Sequence, residues 1–382
     1  MNVMIYTVFY PAPPELRTKP DTLIVHYFAQ ALQKAGHQVQ VVLLSVSRLP
    51  CILENRFRDI LPSEADYVYE GVPVHLFRFQ ALIPYLNYPH RWQAAYINSR
   101  LRVLKETLGW KPDKVFVHFP SVFTGVTEIF ADGVPVLGDF HNMDISILNK
   151  AHGKKVAAFI KEFDTWGYRN RRVRQGLEAV ENRNMAPVYS GIDVSLLGDE
   201  SSVRAKAKKT PAPMRIVYAG QLIPLKNVDV LIRAVKNLSF DCHLTIVGDG
   251  PEAERLHALA GGVPEISFTG RLSREETVQK MGEADVFIML SSPESYGLVY
   301  LEAMAQGCIT VASRGEGFDG LIVDQENGFL EEPGSVEAAV RVLERIHRLD
   351  PETYRSIVEK GYAMAASMTE DQTARRMLEI NV

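Results

Sequence analysis

Residues 23–44, LIVHYFAQALQKAGHQVQVVLL, read as a helix followed directly by a strand. Leu23, Tyr27, Ala31 and Leu32 recur at the spacing of one helix face, and Gly36 suits the C-terminal stop. The run before it, NVMIYTV (2–8), is short, apolar and bounded by prolines, and so reads as a first strand. Strand, helix, glycine, strand is the βαβ signature of a parallel sheet. Further strands are expected at VPVHLF (72–77), DKVFVHF (113–119) and VPVLGDF (134–140).

The alternation restarts beyond residue 210. MRIVYAG (214–220), HLTIVGDG (243–250), ISFTG (266–270), DVFIML (285–290) and CITVAS (308–313) read as strands, with VDVLIRAVKNL and EAERLHALAGG as helices between them. The polar stretch 190–213 ends in Pro-Ala-Pro and reads as a linker. The expected organisation is therefore an α/β chain with a first Rossmann-like domain at 1–189, a linker at 190–213 and a second doubly wound domain at 214–365. A C-terminal helix follows at 366–382. A length of 382 residues suits two domains.

The totals narrow the function. Hydrophobic residues at 46% and charged residues at 23% provide for two ordinary cores. A formal net charge of −4 argues against nucleic acid as a partner. Cys51, Cys242 and Cys308 are odd in number and lack metal-ligand spacing, which points to a reducing compartment. The N-terminus has no basic region ahead of its apolar run, so it does not read as a signal peptide, and no window is long and apolar enough for a membrane span. A cytoplasmic protein is expected, with peripheral membrane association left open.

In doubly wound sheets ligands bind beyond the carboxyl ends of the strands. The loops there carry Gln221 and Lys226, then Asp249-Gly250-Pro251, then Arg271 and Leu272, then SSPESYGLVYLEAMAQG (291–307). A lysine ahead of a helix is misplaced against the macrodipole unless an anion joins it, and phosphate is the usual anion at such a position. Asp249 reads more simply as part of a turn opening a helix. Glu294 precedes a helix start at Ser295, Tyr296, Gly297 and Leu298, whose backbone N–H groups suit a second anion. Glu302 lies in that helix beside an apolar face, so its carboxylate needs a donor. Its simplest alternative is an exposed helix glutamate.

Five stretches together resemble the retaining glycosyltransferases of the GT-B fold, specifically glycosyltransferase family 4. They are VYSGID (188–193), VYAGQLIPLKNVDVLIRAV (217–235), LTIVGDGPEAERL (244–256), the run from Ile266 to Ser313 and ENGFL (326–330). The resemblance implies two Rossmann-like domains facing across a cleft, with the C-terminal helix crossing back to the first. It also implies transfer of a sugar from a nucleotide-diphosphate sugar to an acceptor hydroxyl. By the same resemblance Glu302 binds the ribose hydroxyls, and Glu294 holds the donor sugar near the reacting carbon. Lys226 neutralises the departing diphosphate, helped by backbone groups from Tyr296 to Leu298. Leu272 lies where the family contacts the base. In the first domain VPVLGDFHNMD (134–144) resembles the segment that delivers a cleft histidine, which makes His141 the candidate and His118 its competitor.

Departures from the family pattern are local. Gln221 stands where arginine is common, leaving Lys226 with Arg271 to face the phosphates. The first loop, YPAPPELRTKPDT (10–22), is rich in proline and charge rather than glycine. The approach to the linker, ENRNMAPVYSGID (181–193), lacks a serine-rich strand ending. No Asp-x-Asp pair occurs, so neither cofactor nor metal is expected. The acceptor is expected to be a glycan or lipid-linked molecule of cell-surface polysaccharide or glycolipid assembly. Residues 77–96 offer it aromatic and basic groups, although a helix–loop with an ordinary core face is the simpler reading; Arg169, Arg171, Arg172 and Arg174 read first as a solvated helix face and otherwise as charge offered to an anionic membrane. The rival functions are a sugar-nucleotide epimerase and a non-catalytic partner subunit of the same fold.

Overall fold

The computed structural model describes residues 1–14, 23–48, 63–81, 88–150, 153–207 and 213–380. The chain divides into two compact units. The first comprises residues up to Arg169, Val173–Tyr189 and the segment from Thr373 onward; the second comprises Asn170–Arg172 and Ser190–Gln372.

The first unit contains β1 (Asn2–Thr7), α1 (Ile24–Lys34), β2 (Gln38–Arg48), β3 (Ser63–Tyr69), β4 (Val72–Ala81), α2 (Arg91–Leu108), β5 (Lys114–His118), β6 (Val136–Phe140), α3 (Asn142–Leu148), α4 (Gly153–Ile160), β7 (Thr165–Tyr168), α5 (Arg171–Glu178) from Val173 on and β8 (Met185–Pro187). Its eight strands are ordered β3-β4-β2-β1-β5-β6-β7-β8. Only β3 runs antiparallel to its neighbour among these pairs.

A parallel strand is covered on both faces, so its residues are apolar in succession rather than alternately. The side chains of β1 show why. Val3 and Ile5 join one core with Val25, Ala29 and Leu32 of α1. Met4 and Tyr6 point the other way, into a core with Ile97 and Leu101 of α2 and Trp166 of β7.

The second unit contains α6 (Glu200–Lys206), β9 (Met214–Ala219), α7 (Val228–Lys236), β10 (Cys242–Val247), α8 (Ala253–Ala260), β11 (Ile266–Gly270), α9 (Arg274–Glu283), β12 (Val286–Met289), α10 (Leu298–Ala305), β13 (Ile309–Ser313), β14 (Phe329–Glu331), α11 (Val336–His347), α12 (Pro351–Ala366) and the start of α13 (Glu370–Glu379). Its six strands run β11-β10-β9-β12-β13-β14, all parallel. From Thr373 on, α13 belongs to the first unit, where Ala374 and Met377 enter the core with Val3 and Ile5. Lys114, 6% exposed, donates to the carbonyls of Leu378 at 2.6 Å and Ile380 at 2.8 Å. Its ammonium thus sits where the helix macrodipole favours a cation, although burial pulls the pKa of the amine below its usual value.

Three expectations need correction. The stretch 190–213 is not a plain linker: its described part begins the second unit and includes α6, whose Val203 is buried. Val203 packs under Gly307, where a Cβ would approach it to 2.9 Å, and apolar burial is what draws this polar segment onto the domain. Four strands carry too weak a pattern to read. The edge strand β3 turns charged residues outward, β8 ends in proline, and β7 and β14 are four and three residues long. Finally, Arg169 is 4% exposed and so is not part of a solvated arginine face; Arg174 pairs with Glu178 at 2.8 Å.

Tight backbone contact between strand-end loops positions the site. Gly248 has φ +136°, and a Cβ there would lie 1.9 Å from the Gly220 carbonyl oxygen. Gly248 N–H donates to the Gly270 carbonyl at 2.9 Å, so the ends of β9, β10 and β11 are locked side by side. Gly248→Ala is expected to lower the unfolding free energy by about 2 kcal/mol or more. Urea denaturation checks this; a change within about 0.5 kcal/mol, the range of ordinary surface substitutions, refutes the proposed contact.

Candidate functional site

In the second unit the loops after β9, β10, β11 and β12 surround a cavity of about 790 Å³. Gln221, Lys226, Arg271, Leu272, Glu294, Gly297, Leu298 and Glu302 all line it. These residues span some eighty positions of sequence, and the sheet order brings them together because β9 lies between β10 and β12.

Lys226 ends a short 3-10 turn, Pro224–Lys226, and Asn227 follows in the left-handed region at φ 51°. Asn227 Nδ2 donates to the Leu290 carbonyl at 2.6 Å, and Ser292 N–H donates to the Leu225 carbonyl at 2.9 Å. Those two bonds stitch the β9 loop to the β12 loop. Lys226 Nζ then meets Glu294 Oε2 at 2.6 Å. Ser291 Oγ donates to the same oxygen at 3.1 Å, and Ser295 N–H donates to Oε1 at 3.1 Å.

Glu294 is held from behind by Glu316, which the sequence reading did not single out. Glu316 is 6% exposed and accepts from Glu294 N–H and Ser292 Oγ, both at 2.8 Å. Arg172 approaches its other side at 3.7 Å. A short polar residue pattern, RGEGFDG, gave no sign of this role. Gly317 permits the approach, since a Cβ there would lie 2.6 Å from the Tyr296 carbonyl oxygen.

Ser295 and Tyr296 serve the loop rather than the cavity wall. The Ser295 carbonyl accepts from Asn170 Nδ2 at 2.8 Å, and the buried Tyr296 donates its hydroxyl to the Ser190 carbonyl at 2.7 Å. Gly297, at φ 85°, then opens α10, whose first turn holds no acidic side chain. Glu302 is 9% exposed among the buried Leu301, Ala303 and Met304. The donor its carboxylate requires is Arg274, another residue that the sequence reading left without a role: Nε and a terminal nitrogen reach Oε1 at 2.9 and 2.8 Å. Asp249 and Gly250, read as a plain turn, also line the cavity.

In the first unit the two competing histidines meet at one carboxylate. His118 Nδ1 lies 2.6 Å from Asp139 Oδ2, and His141 Nε2 lies 3.4 Å from the same atom. Arg169 grips Asp139 with Nε at 3.0 Å from Oδ1 and a terminal nitrogen 2.5 Å from Oδ2. Burial by itself would raise the Asp139 carboxyl; Arg169 and the two histidines hold it well below the usual range. The His141 ring stacks on Phe119 at 3.8 Å, and its N–H backbone donates to Asp144 Oδ2 at 2.8 Å. Asp144 Oδ1 accepts from Ser121 N–H at 3.0 Å, joining the two histidine-bearing loops, and burial pushes its carboxyl up to about 6.

Among the described residues His118, Asp139 and His141 also form a group whose metal-ligating atoms lie within 4.8 Å of one another. Asp139 already has a counter-charge in Arg169, so the geometry is that of a buried ion pair bracketed by histidines. The expected acceptor surface is described only in part. Residues 82–87, like 15–22 of the first loop, lie outside the described residues; beside them Tyr88 is buried under Lys155 Nζ at 4.9 Å, and Trp92 is 40% exposed.

The cavity lies within a recognisable segment. Residues 199–364 match the model of the "Glycosyl transferases group 1" family. That match makes the segment holding the cavity similar to this family. The sulfoquinovosyl transferase of Arabidopsis thaliana is 36% identical over 165 residues, 42% of this chain and 31% of that protein. The lipopolysaccharide core biosynthesis glycosyltransferase LpsE of Rhizobium meliloti is 35% identical over 142 residues, 36% of this chain and 41% of that protein. The matches thus span less than half the length of these relatives. HepE of Anabaena, solved with UDP, superposes with a TM-score of 0.70 at 16% identity over 99% of both chains. Sucrose-phosphate synthase of Thermosynechococcus elongatus superposes at 0.66 and 16% over 99% of this chain and 98% of that one. The shared architecture is the GT-B fold. Among the described residues no helix is long and apolar enough to cross a membrane.

Burial lowers the His141 pKa to about 4, with Asp139 opposing and Arg169 reinforcing the shift. A depressed histidine binds its proton more readily in the unfolded chain, so its effect on stability is absent above about pH 6.5 and grows destabilising as pH falls towards 4. Between pH 7 and 4 the wild-type chain is expected to lose about 3 kcal/mol of stability relative to His141→Asn. Urea denaturation of both at pH 7, 5.5 and 4 measures this, and a stability difference that stays flat with pH excludes a neutral buried His141.

Proposed function

We propose that the chain is a retaining hexosyltransferase that moves a sugar from a nucleotide-diphosphate sugar to an acceptor hydroxyl without a metal ion. The observation that carries the proposal is the pairing of two carboxylates with two cations in one cavity, Lys226–Glu294 and Arg274–Glu302, inside the family-matched segment. A donor has chemically distinct ends, and the cavity offers distinct groups to match them. Glu302 faces the ribose hydroxyls, Leu272 the base and Glu294 the sugar. Lys226, Arg271 and the start of α10 face the diphosphate, with Gln221 beside them.

Breaking the sugar–phosphate bond leaves positive charge on the anomeric carbon and further negative charge on the diphosphate. Lys226 and the N–H groups at Gly297 and Leu298 lower the barrier by stabilising that negative charge as it develops. In the free cavity Glu294 neutralises Lys226; a diphosphate competes for the ammonium and frees Glu294 to accept from sugar hydroxyls. Attack on the same face retains configuration, with a donor phosphate oxygen taking the acceptor proton. His141 of the first unit, neutral at pH 7, is suited to hydrogen bonding with a substrate hydroxyl. The acceptor is a glycan or a lipid-linked molecule of surface polysaccharide or glycolipid assembly; one relative bears the name of a lipopolysaccharide core biosynthesis glycosyltransferase.

Thermal-shift screening of nucleotide diphosphates and their sugars identifies the donor, because binding to the native state raises its melting temperature. Glu302→Ala is expected to weaken donor binding by about tenfold or more, since a bond to a charged group is lost. Glu294→Ala is expected to lower kcat by about a hundredfold with a smaller change in donor affinity. Equal losses of affinity in both, with kcat intact, contradict this assignment. Transfer is expected to survive chelation; activity abolished by chelator and restored by magnesium or manganese contradicts metal independence.

A further inference from the structure

Arg274 occupies the first helical position of α9, behind an N-cap in which Ser273 accepts from Glu276 N–H at 3.1 Å and donates its own N–H to Glu276 at 2.8 Å. A cation at a helix N-terminus is opposed by the macrodipole, so this placement is costly unless a nearby anion compensates it. Glu302 is that anion. Arg274 Nε–H donates to Oε1 at 2.9 Å, and a terminal nitrogen of the same guanidinium lies 2.8 Å from that oxygen. Oε2 is then the acceptor that Glu302 has left. It receives no hydrogen bond from the described residues, and it is not among the side-chain atoms sealed from solvent. Glu302 and Arg274 both line the cavity.

We propose that Arg274 is a positioning residue for nucleotide recognition. By holding Oε1 it keeps the Glu302 carboxylate ionised beside the apolar face of α10 and turns Oε2 to the cavity. The site then distinguishes a ribonucleotide from a deoxyribonucleotide through the Arg274–Glu302 pair rather than through Glu302 alone. The inference rests on the donor-site reading above. Arginine is suited to the role because its rigid fork places both donors on one carboxylate, which a lysine ammonium does not reproduce.

The test is calorimetric binding of UDP, ADP and GDP and of their 2′-deoxy counterparts to the wild-type chain, Arg274→Met and Arg274→Lys. The wild-type chain is expected to bind its preferred ribonucleotide about tenfold tighter than the deoxy form, the worth of one hydrogen bond to a charged group. Arg274→Met is expected to lose about tenfold for the ribonucleotide and less than about threefold for the deoxynucleotide, so that discrimination collapses. Arg274→Lys, which keeps the charge, is expected to lose discrimination as well. Equal weakening of both nucleotides with discrimination preserved would mean that Arg274 acts only by attracting phosphate, and overturns the proposal. Discrimination unchanged in the lysine variant overturns the requirement for the fork. Failure of the wild-type chain to bind any of the three diphosphates overturns the donor-site reading and this inference with it, whereas binding without ribose discrimination overturns the inference alone.

Discussion

The ion pair between Lys226 and Glu294 depends on the order of strands in the second sheet, and most of the site depends on the ion pair. The two residues lie in loops that follow β9 and β12, which are neighbours in space though not in sequence. Backbone and amide bonds at Leu225, Asn227 and Leu290 close the gap before the charges meet, so the pair forms between two fixed loops rather than two free side chains. Such fixing matters because an exposed pair gains little over its own loss of side-chain freedom. Here the side chains are 21% and 13% exposed, and serine donors share the carboxylate.

The same logic extends outward by one layer. Glu316 supports the backbone of Glu294, and Arg274 supports the carboxylate of Glu302. Each of the two carboxylates facing the cavity is thus held by a residue that sequence spacing does not connect to it. In the first unit Asp139 plays the corresponding part for two histidines, with Arg169 balancing its charge.

Much of this was legible in the sequence. Continuous apolar runs with β-branched residues mark strands covered on both faces, and ten of the fourteen strands among the described residues announce themselves that way. Lys226, Glu294 and Glu302 were legible because strand ends in a doubly wound sheet are where ligands gather. The remainder was hidden for specific reasons. β3 is an edge strand whose charged outward residues dilute its pattern, and β8 and β14 have three residues each. Arg274 sits in a capping sequence that would serve any helix, so its partner across the cavity is visible only in three dimensions. Arg169 looked like one of a run of surface arginines, yet it is buried because Asp139 stands opposite. The two histidines looked like alternatives because sequence cannot show that both loops converge on one carboxylate.

Lys114 bears on how the chain acquires its structure. Its ammonium is satisfied by carbonyls at Leu378 and Ile380, and the core around Val3 and Ile5 includes Ala374 and Met377. Those groups are synthesised after the whole of the second unit. During translation the first sheet therefore emerges with an apolar strip uncovered and a buried amine lacking its acceptors, and it waits for the second unit to be made before either is satisfied. The chain's two units do not mature in the order in which they are encoded; the first to be made is the last to be closed.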